Sequence, residues 1–229
     1  TAIGYQALET FEANSDGDGN NTAIGFNAGQ ALSTGHSNTI LGAGAGVAAQ
    51  LVDSTVIIGK GAGAANMTAD ADGTVAIGYT AGAAITSGQK NVAIGYEALL
   101  TEDDGDSCVA IGYNALKLQT GVSGEVGNVA IGSLAGDAVL TGIKNVLVGS
   151  GAGGATTDVD NTVIIGYGAG AADMTSAADG TVAIGYTAGA AITSGEKNVA
   201  IGHAALLAED DGDSCVAIGY NALTSQTGV

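Results

Sequence analysis

Short apolar runs ending in a glycine recur thirteen times along the chain. The fullest copy reads Asn91-Val92-Ala93-Ile94-Gly95-Tyr96-Glu97-Ala98-Leu99. The glycines stand at 4, 25, 42, 59, 78, 95, 112, 132, 149, 166, 185, 202 and 219, in steps of seventeen to twenty-one positions. A fixed period near twenty predicts a solenoid or array. The residue before the glycine is Ile in eleven copies and Leu41 or Val148 in the other two; three before it comes Val or Thr in every copy. Side chains alternate along a strand, so these two positions share one face, and the Ala, Ile or Leu between them takes the other. A strand with one wet face would alternate apolar and polar. This strand is apolar on both faces. A thin coil covers only its inner face, and the simplest cover for the outer one is another copy of the chain.

Three residues after the glycine, every copy has Ala, as in Ala28, Ala81, Ala98, Ala115 and Ala205 after Gly25, Gly78, Gly95, Gly112 and Gly202. This predicts a corner with room for one methyl group. The next position is Gly or Leu. Gly permits a positive φ at a corner, and the Leu copies (Leu8, Leu99, Leu116, Leu206, Leu223) predict that a positive φ is not compulsory there. A second short strand is expected at residues 30–34 and 83–87, then a turn marked by Thr34-Gly35 or Ser87-Gly88. Asn opens the strand at Asn21, Asn38, Asn91, Asn128, Asn145 and Asn198, and stacked Asn side chains can hydrogen-bond to the coils above and below. The coil therefore reads as strand, corner, short strand, turn. The expected fold is an all-β parallel β-solenoid of thirteen coils, one continuous array over residues 1–229.

The steps also repeat at a longer period. The six intervals from Gly4 to Gly112 return, in the same order of long and short, from Gly112 to Gly219. Residues 74–122 nearly match 181–229. A six-coil block has been duplicated. One coil alone cannot recover its chain entropy from the few side chains it buries, so stability grows with copy number. The chain starts inside one motif and stops in a turn, with no polar cap, which reads as a segment of a longer fibre able to continue end to end.

Composition narrows the class. The 229 residues include 40 Gly and no Pro or Trp, without the every-third-residue Gly of collagen and with too many aliphatics for a disordered linker. Gly spacing and β-branched residues argue against helix. The net charge is -18, and the five basic residues are all Lys. That excludes a nucleic-acid partner and disfavours an anionic membrane surface. No run approaches the roughly 18 apolar residues of a membrane span. Cys108 and Cys215 sit where other coils have Asn or Thr. Six coils at about 4.8 Å each put them too far apart for an intrachain disulfide in a straight solenoid. They read as small buried residues, with pairing across an oligomer as the alternative.

Two features carry candidate chemistry. The position after the glycine holds all seven tyrosines, Tyr79, Tyr96, Tyr113, Tyr186 and Tyr220 among them, and Phe26. They read as a packing ladder, or as an aromatic column for a glycan or a surface. The long loops are acidic. Asp16, Asp18 and Asn20, then Asp103, Asp104 and Asp106, then Asp210, Asp211 and Asp213, present oxygen ligands beside Gly as a calcium site would. The alternative is a solvated turn that keeps an apolar array in solution. His36 and His203 occupy different coil positions and form no repeated site, and Met67 and Met174 read as core filler.

The Asn-(Val/Thr)-Ala-Ile-Gly-x-x-Ala pattern, matched throughout at 91–98, 128–135 and 198–205, resembles the YadA-like head repeat of trimeric autotransporter adhesins. It also looks like arrays in phage tail fibres and related bacterial surface proteins. The resemblance implies a left-handed parallel β-roll that forms a homotrimer, each chain adding one side of the core. The adhesin coils are shorter than those of this chain. The function expected is structural: a rigid, extracellular, trimeric shaft or head of an adhesin or appendage, or a phage tail-fibre shaft, with a host-surface glycan or protein as receptor. No catalytic residue and no cofactor besides calcium is expected. A hexapeptide-repeat acyltransferase is the rival enzyme class, but position five after the glycine (Ala83, Gln30) breaks its hexad pattern. An ice-binding solenoid would need paired Thr columns, which Thr22, Thr39, Thr74 and Thr181 do not make.

Overall fold

A computed structural model describes residues 1–12, 19–120 and 122–227. The protein is an all-β parallel solenoid with almost no helix, and all thirteen motif strands form. Two compact units divide it. The first, residues 1–108 with 120–125, contains β1 (Ala2–Ile3), β2 (Thr22–Ile24), β3 (Thr39–Leu41), β4 (Val56–Ile58), β5 (Val75–Ile77) and β6 (Val92–Ile94). A side pair joins β7 (Gly105–Asp106) to β9 (Gly124–Glu125). The second, residues 109–119 with 126–229, contains β8 (Val109–Ile111), β10 (Val129–Ile131), β11 (Val146–Val148), β12 (Val163–Ile165), β13 (Val182–Ile184), β14 (Val199–Ile201) and β15 (Val216–Ile218). Within each unit the motif strands pair in chain order, parallel and in register, so Val75 lies on Val92 and Ile184 on Ile201.

The expected second strand is absent. Residues 30–34 and 83–87 are turn and irregular backbone, although they still bond to the next coil through Ala31 N to Val47 O (3.1 Å), Ser33 N to Gln50 O (2.9 Å) and Thr86 N to Asp103 O (2.8 Å). The cause lies in the corner. Residues two and four after each motif glycine are left-handed, as at Thr80 (φ 48) and Gly82 (φ 55). The position before the strand-opening residue is left-handed too, as at Lys90 (φ 55) and Lys144 (φ 58). These reversals break the backbone on both sides of the motif strand and keep it short.

The motif glycine itself lies at φ 130 to 142, a region other L-residues rarely enter. Its N–H donates to the carbonyl of the preceding coil, for example Gly95 N to Ile77 O at 2.8 Å. A Cβ on Gly185 would fall well inside contact distance of the Gly202 carbonyl oxygen, and the same holds from glycine to glycine within each unit.

Positive φ at the Gly-or-Leu corner proves compulsory, contrary to the sequence expectation. Leu8, Leu99, Leu116, Leu206 and Leu223 all have φ between 47 and 53. Left-handed backbone costs a non-Gly residue about 1–2 kcal/mol. Full burial of Leu99, Leu116 and Leu206 offsets this, at about 1.5–3 kcal/mol for such a side chain. The core explains where Leu is allowed. In most coils the middle strand residue, the corner residue and the residue seven after the glycine face inward; where the seventh is the exposed Asn66 or Asp173, Met67 or Met174 beside it takes the inward place. Ala76 and Gly82 go with Ile85, Leu147 and Gly153 with Thr156, and Ala200 and Leu206 with Glu209. Where the corner is Gly, its space is taken: a Cβ on Gly153 would lie 2.9 Å from Leu147 Cδ2, and one on Gly82 2.9 Å from Ile85 Cδ1. Each such coil thus carries one branched aliphatic, shared among three positions. Met67 and Met174 fill the core as expected, both fully buried, in coils that add a 3-10 turn at Ala69–Ala71 and Ser176–Ala178.

Two glycines give a test. Gly185→Ala is expected to cost more than about 3 kcal/mol, since strain and a backbone clash combine. Gly151→Ala, at φ 65 with nothing within 4 Å of the new Cβ, is expected to cost about 1–2 kcal/mol. Urea denaturation of the two variants measures the difference.

Candidate interaction face and acidic turns

The strands leave one face uncovered. Their middle residues are buried from Ala23 onward, while the Val or Thr and the Ile on either side are half-buried in most coils and exposed at Ile3, Ile24, Ile131, Val216 and Ile218. Parallel register stacks these side chains into two β-branched columns in each unit. A third column follows at the residue after the glycine. Tyr5 stacks on Phe26 (5.4 Å between ring centroids) and Tyr79 on Tyr96 (5.1 Å). In the second unit Tyr167, Tyr186, His203 and Tyr220 stack in series at 5.0 to 5.5 Å. Lys60, in the same column, sits 5.9 Å from the Tyr79 ring centre. Tyr113 occupies this position too and is exposed. The rings spend their faces on one another and turn their edges outward, which is a packing ladder. His203 is a member that the His-by-His reading of the sequence passed over; its place directly after Gly202 was the available signal.

The strand-opening residues form the expected ladder, and it is directional. Asn145 Nδ2 donates to Val159 O (2.6 Å), while its Oδ1 accepts from Thr162 N (3.0 Å) and Thr162 Oγ1 (2.7 Å). Asn38 bonds likewise to Val52 and Thr55, and Asn91 to Gly105 and Cys108. Cys108 and Cys215 therefore stand in this ladder as backbone donors, and neither is in a disulfide.

The acidic residues separate into two kinds. Asp106 Oδ1 accepts from Gln89 N (2.8 Å) and Asp213 Oδ1 from Glu196 N (2.9 Å). Asp53, Asp72, Asp160 and Asp179 do the same from equivalent positions. These carboxylates tie one coil's turn to the next. Asp103 and Asp104 instead gather with Glu102, and Asp210 and Asp211 with Glu209; in each trio one carboxylate oxygen per residue lies within 4.8 Å of the others. Asp16 and Asp18 lie outside the described residues, and Asn20 is exposed beside a recess lined by Thr1, Leu8 and Phe11.

The two glutamates were missed in the sequence because they begin acidic loops, yet both are fully buried. They occupy the inward position seven after the glycine, which is Leu32, Ile85 or Ile192 in other coils. Glu102 Oε1 accepts from the N–H of Asp103 (3.1 Å), Asp104 (3.3 Å) and Gly105 (2.7 Å); Glu209 Oε1 accepts from Gly212 (2.7 Å). Burial holds the Glu102 carboxyl above its ordinary range, and the backbone donors only partly offset it. Burial, then repulsion from Asp103, raises Asp104.

Compared with models of known families, with curated proteins and with solved structures, the chain matches none. Among the described residues no helix is long and apolar enough to cross a membrane.

Asn145→Leu strands a buried carbonyl and two buried donors, and is expected to cost about 2–4 kcal/mol, while Asn145→Thr, which restores a residue type the ladder already uses, is expected to cost less. Denaturant titration compares the two. For Glu102, a raised folded-state value means a contribution that is full at low pH and lost as pH rises through that value. In chelator, Glu102→Gln is therefore expected to raise Tm relative to the parent at pH 7, with the gap closing toward pH 4.

Proposed function

We propose that this chain is a structural fibre segment, a left-handed β-roll that trimerises through its outer strand face to form the shaft or head of an extracellular adhesin, appendage or filament. The single observation that supports this reading is the pair of Val and Ile columns left half-exposed on the strand face of each unit. Burying such side chains is worth about 25 cal/mol per Å², and an apolar surface made of repeating columns marks an interaction site. A second copy suits it because identical columns of identical pitch meet in register. The net charge of -18 is carried largely on turns, where it keeps the assembly in solution. The strand residues face the core or the partner, and the Asn ladder and the turn-tying aspartates hold coil to coil, which supports a mechanical role. Attachment through a host-surface receptor rests on the motif's resemblance to adhesin heads.

Light scattering tests the assembly. A mass of three chains at micromolar concentration is expected. The pair Val182→Glu and Ile184→Glu, both in the outward columns, is expected to lower that mass to one chain while the β circular-dichroism signal persists. A parent chain that stays monomeric at the highest soluble concentration would overturn the proposal.

A further inference from the structure

We propose that the Glu102-Asp103-Asp104 turn and its repeat, Glu209-Asp210-Asp211, each hold a calcium ion, with the buried glutamate as the inner ligand. Glu102 is fully buried, and its second oxygen, Oε2, is enclosed with no hydrogen-bond partner. The three N–H bonds to Oε1 point the carboxyl group into the turn formed by Asp103, Asp104 and Gly105. A buried carboxylate oxygen left unpaired is costly. A hard cation satisfies it where no protein donor does.

The geometry suits calcium. Ligand oxygens at 2.3–2.6 Å from a Ca²⁺ ion lie within about 4.6–5.2 Å of one another, whereas the Mg²⁺ shell at 2.0–2.1 Å is tighter and demands octahedral order. In each trio one carboxylate oxygen per residue lies within 4.8 Å of the others, a span that a single calcium ion can bridge. Asp103 is exposed and Asp104 half-exposed, as Asp210 and Asp211 are exposed, so an ion can enter and complete its shell with water. The ligand set differs from the one the Asp-Gly pattern suggests. Asp106 and Asp213 are already committed to Gln89 and Glu196, and the glutamate one residue upstream of the aspartates takes their place. Both blocks keep the same Glu-Asp-Asp-Gly-Asp order.

The test is calorimetric titration of calcium chloride into the chelator-treated, dialysed full chain, with magnesium chloride in excess. Two ions per chain are expected, with Kd on the order of 10⁻⁴–10⁻³ M or tighter, as in extracellular calcium modules, and with a rise in Tm. Glu102→Gln with Glu209→Gln keeps the Oε1 acceptor for the turn and is expected to weaken binding at least tenfold. Asp106→Asn with Asp213→Asn is expected to leave it within twofold. Should the glutamine pair fail to fold, Asp103→Asn with Asp210→Asn, at exposed positions, is expected to show the same tenfold loss. No calcium heat and an unchanged Tm, equal competition by magnesium, or equal losses from the Asp106/Asp213 pair would each overturn the proposal. None of these outcomes bears on the oligomer mass.

Discussion

Backbone packs directly on backbone at the motif glycines, and the rest of the coil follows from that approach. A glycine at φ 130 to 142 sets its N–H on the carbonyl below and leaves its α-carbon against the carbonyl above. No side chain separates neighbouring coils at this point, so they approach to hydrogen-bonding distance, and every other position inherits the spacing. The strand ladder, the aromatic column and the Asn ladder all repeat at this pitch. Variation in coil length is absorbed where the backbone is already irregular, in the loops and 3-10 turns far from the glycine.

The core works under a volume constraint that crosses sequence positions. A Leu or Ile in mid-strand requires Gly at the corner. An Ala in mid-strand permits either Gly at the corner with an aliphatic seven after the motif glycine, or Leu at the corner. In the latter case, at Leu99 and Leu206, the interior is already filled by the corner side chain. The seventh position then needs no aliphatic, and a glutamate folds back there to receive its own turn's N–H groups. The strained leucines and the buried acids are thus two outcomes of one packing choice, and they recur together in both blocks.

Much of this was legible from the residues. Alternation located the strand and its two apolar faces, the invariant Ala marked the corner, and the strand-opening Asn foretold its ladder. Other features were hidden for definite reasons. Leu at the corner looked like evidence against a positive φ, because local preference ignores what burial returns. The stretch at 83–87 looked like a strand, because its apolar content serves a turn that packs inward. Glu102 looked like a solvated loop residue, because acidic neighbours outweigh register when a loop is read by composition. Counting seven from Gly95 and comparing with Ile85 would have placed it inside. For the candidate site, the outward columns were visible from period alone, whereas the split between turn-tying and clustered aspartates needed three-dimensional register.

The Asn ladder has a direction with a consequence for synthesis. Each Asn bonds forward, its Nδ2 to a carbonyl fourteen positions on and its Oδ1 to an N–H seventeen positions on. As the chain leaves the ribosome, a newest coil that opens with Asn carries an amide whose partners lie on the coil still being made. Each finished Asn coil thus offers the nascent one a preset register, fixed at two points of its backbone.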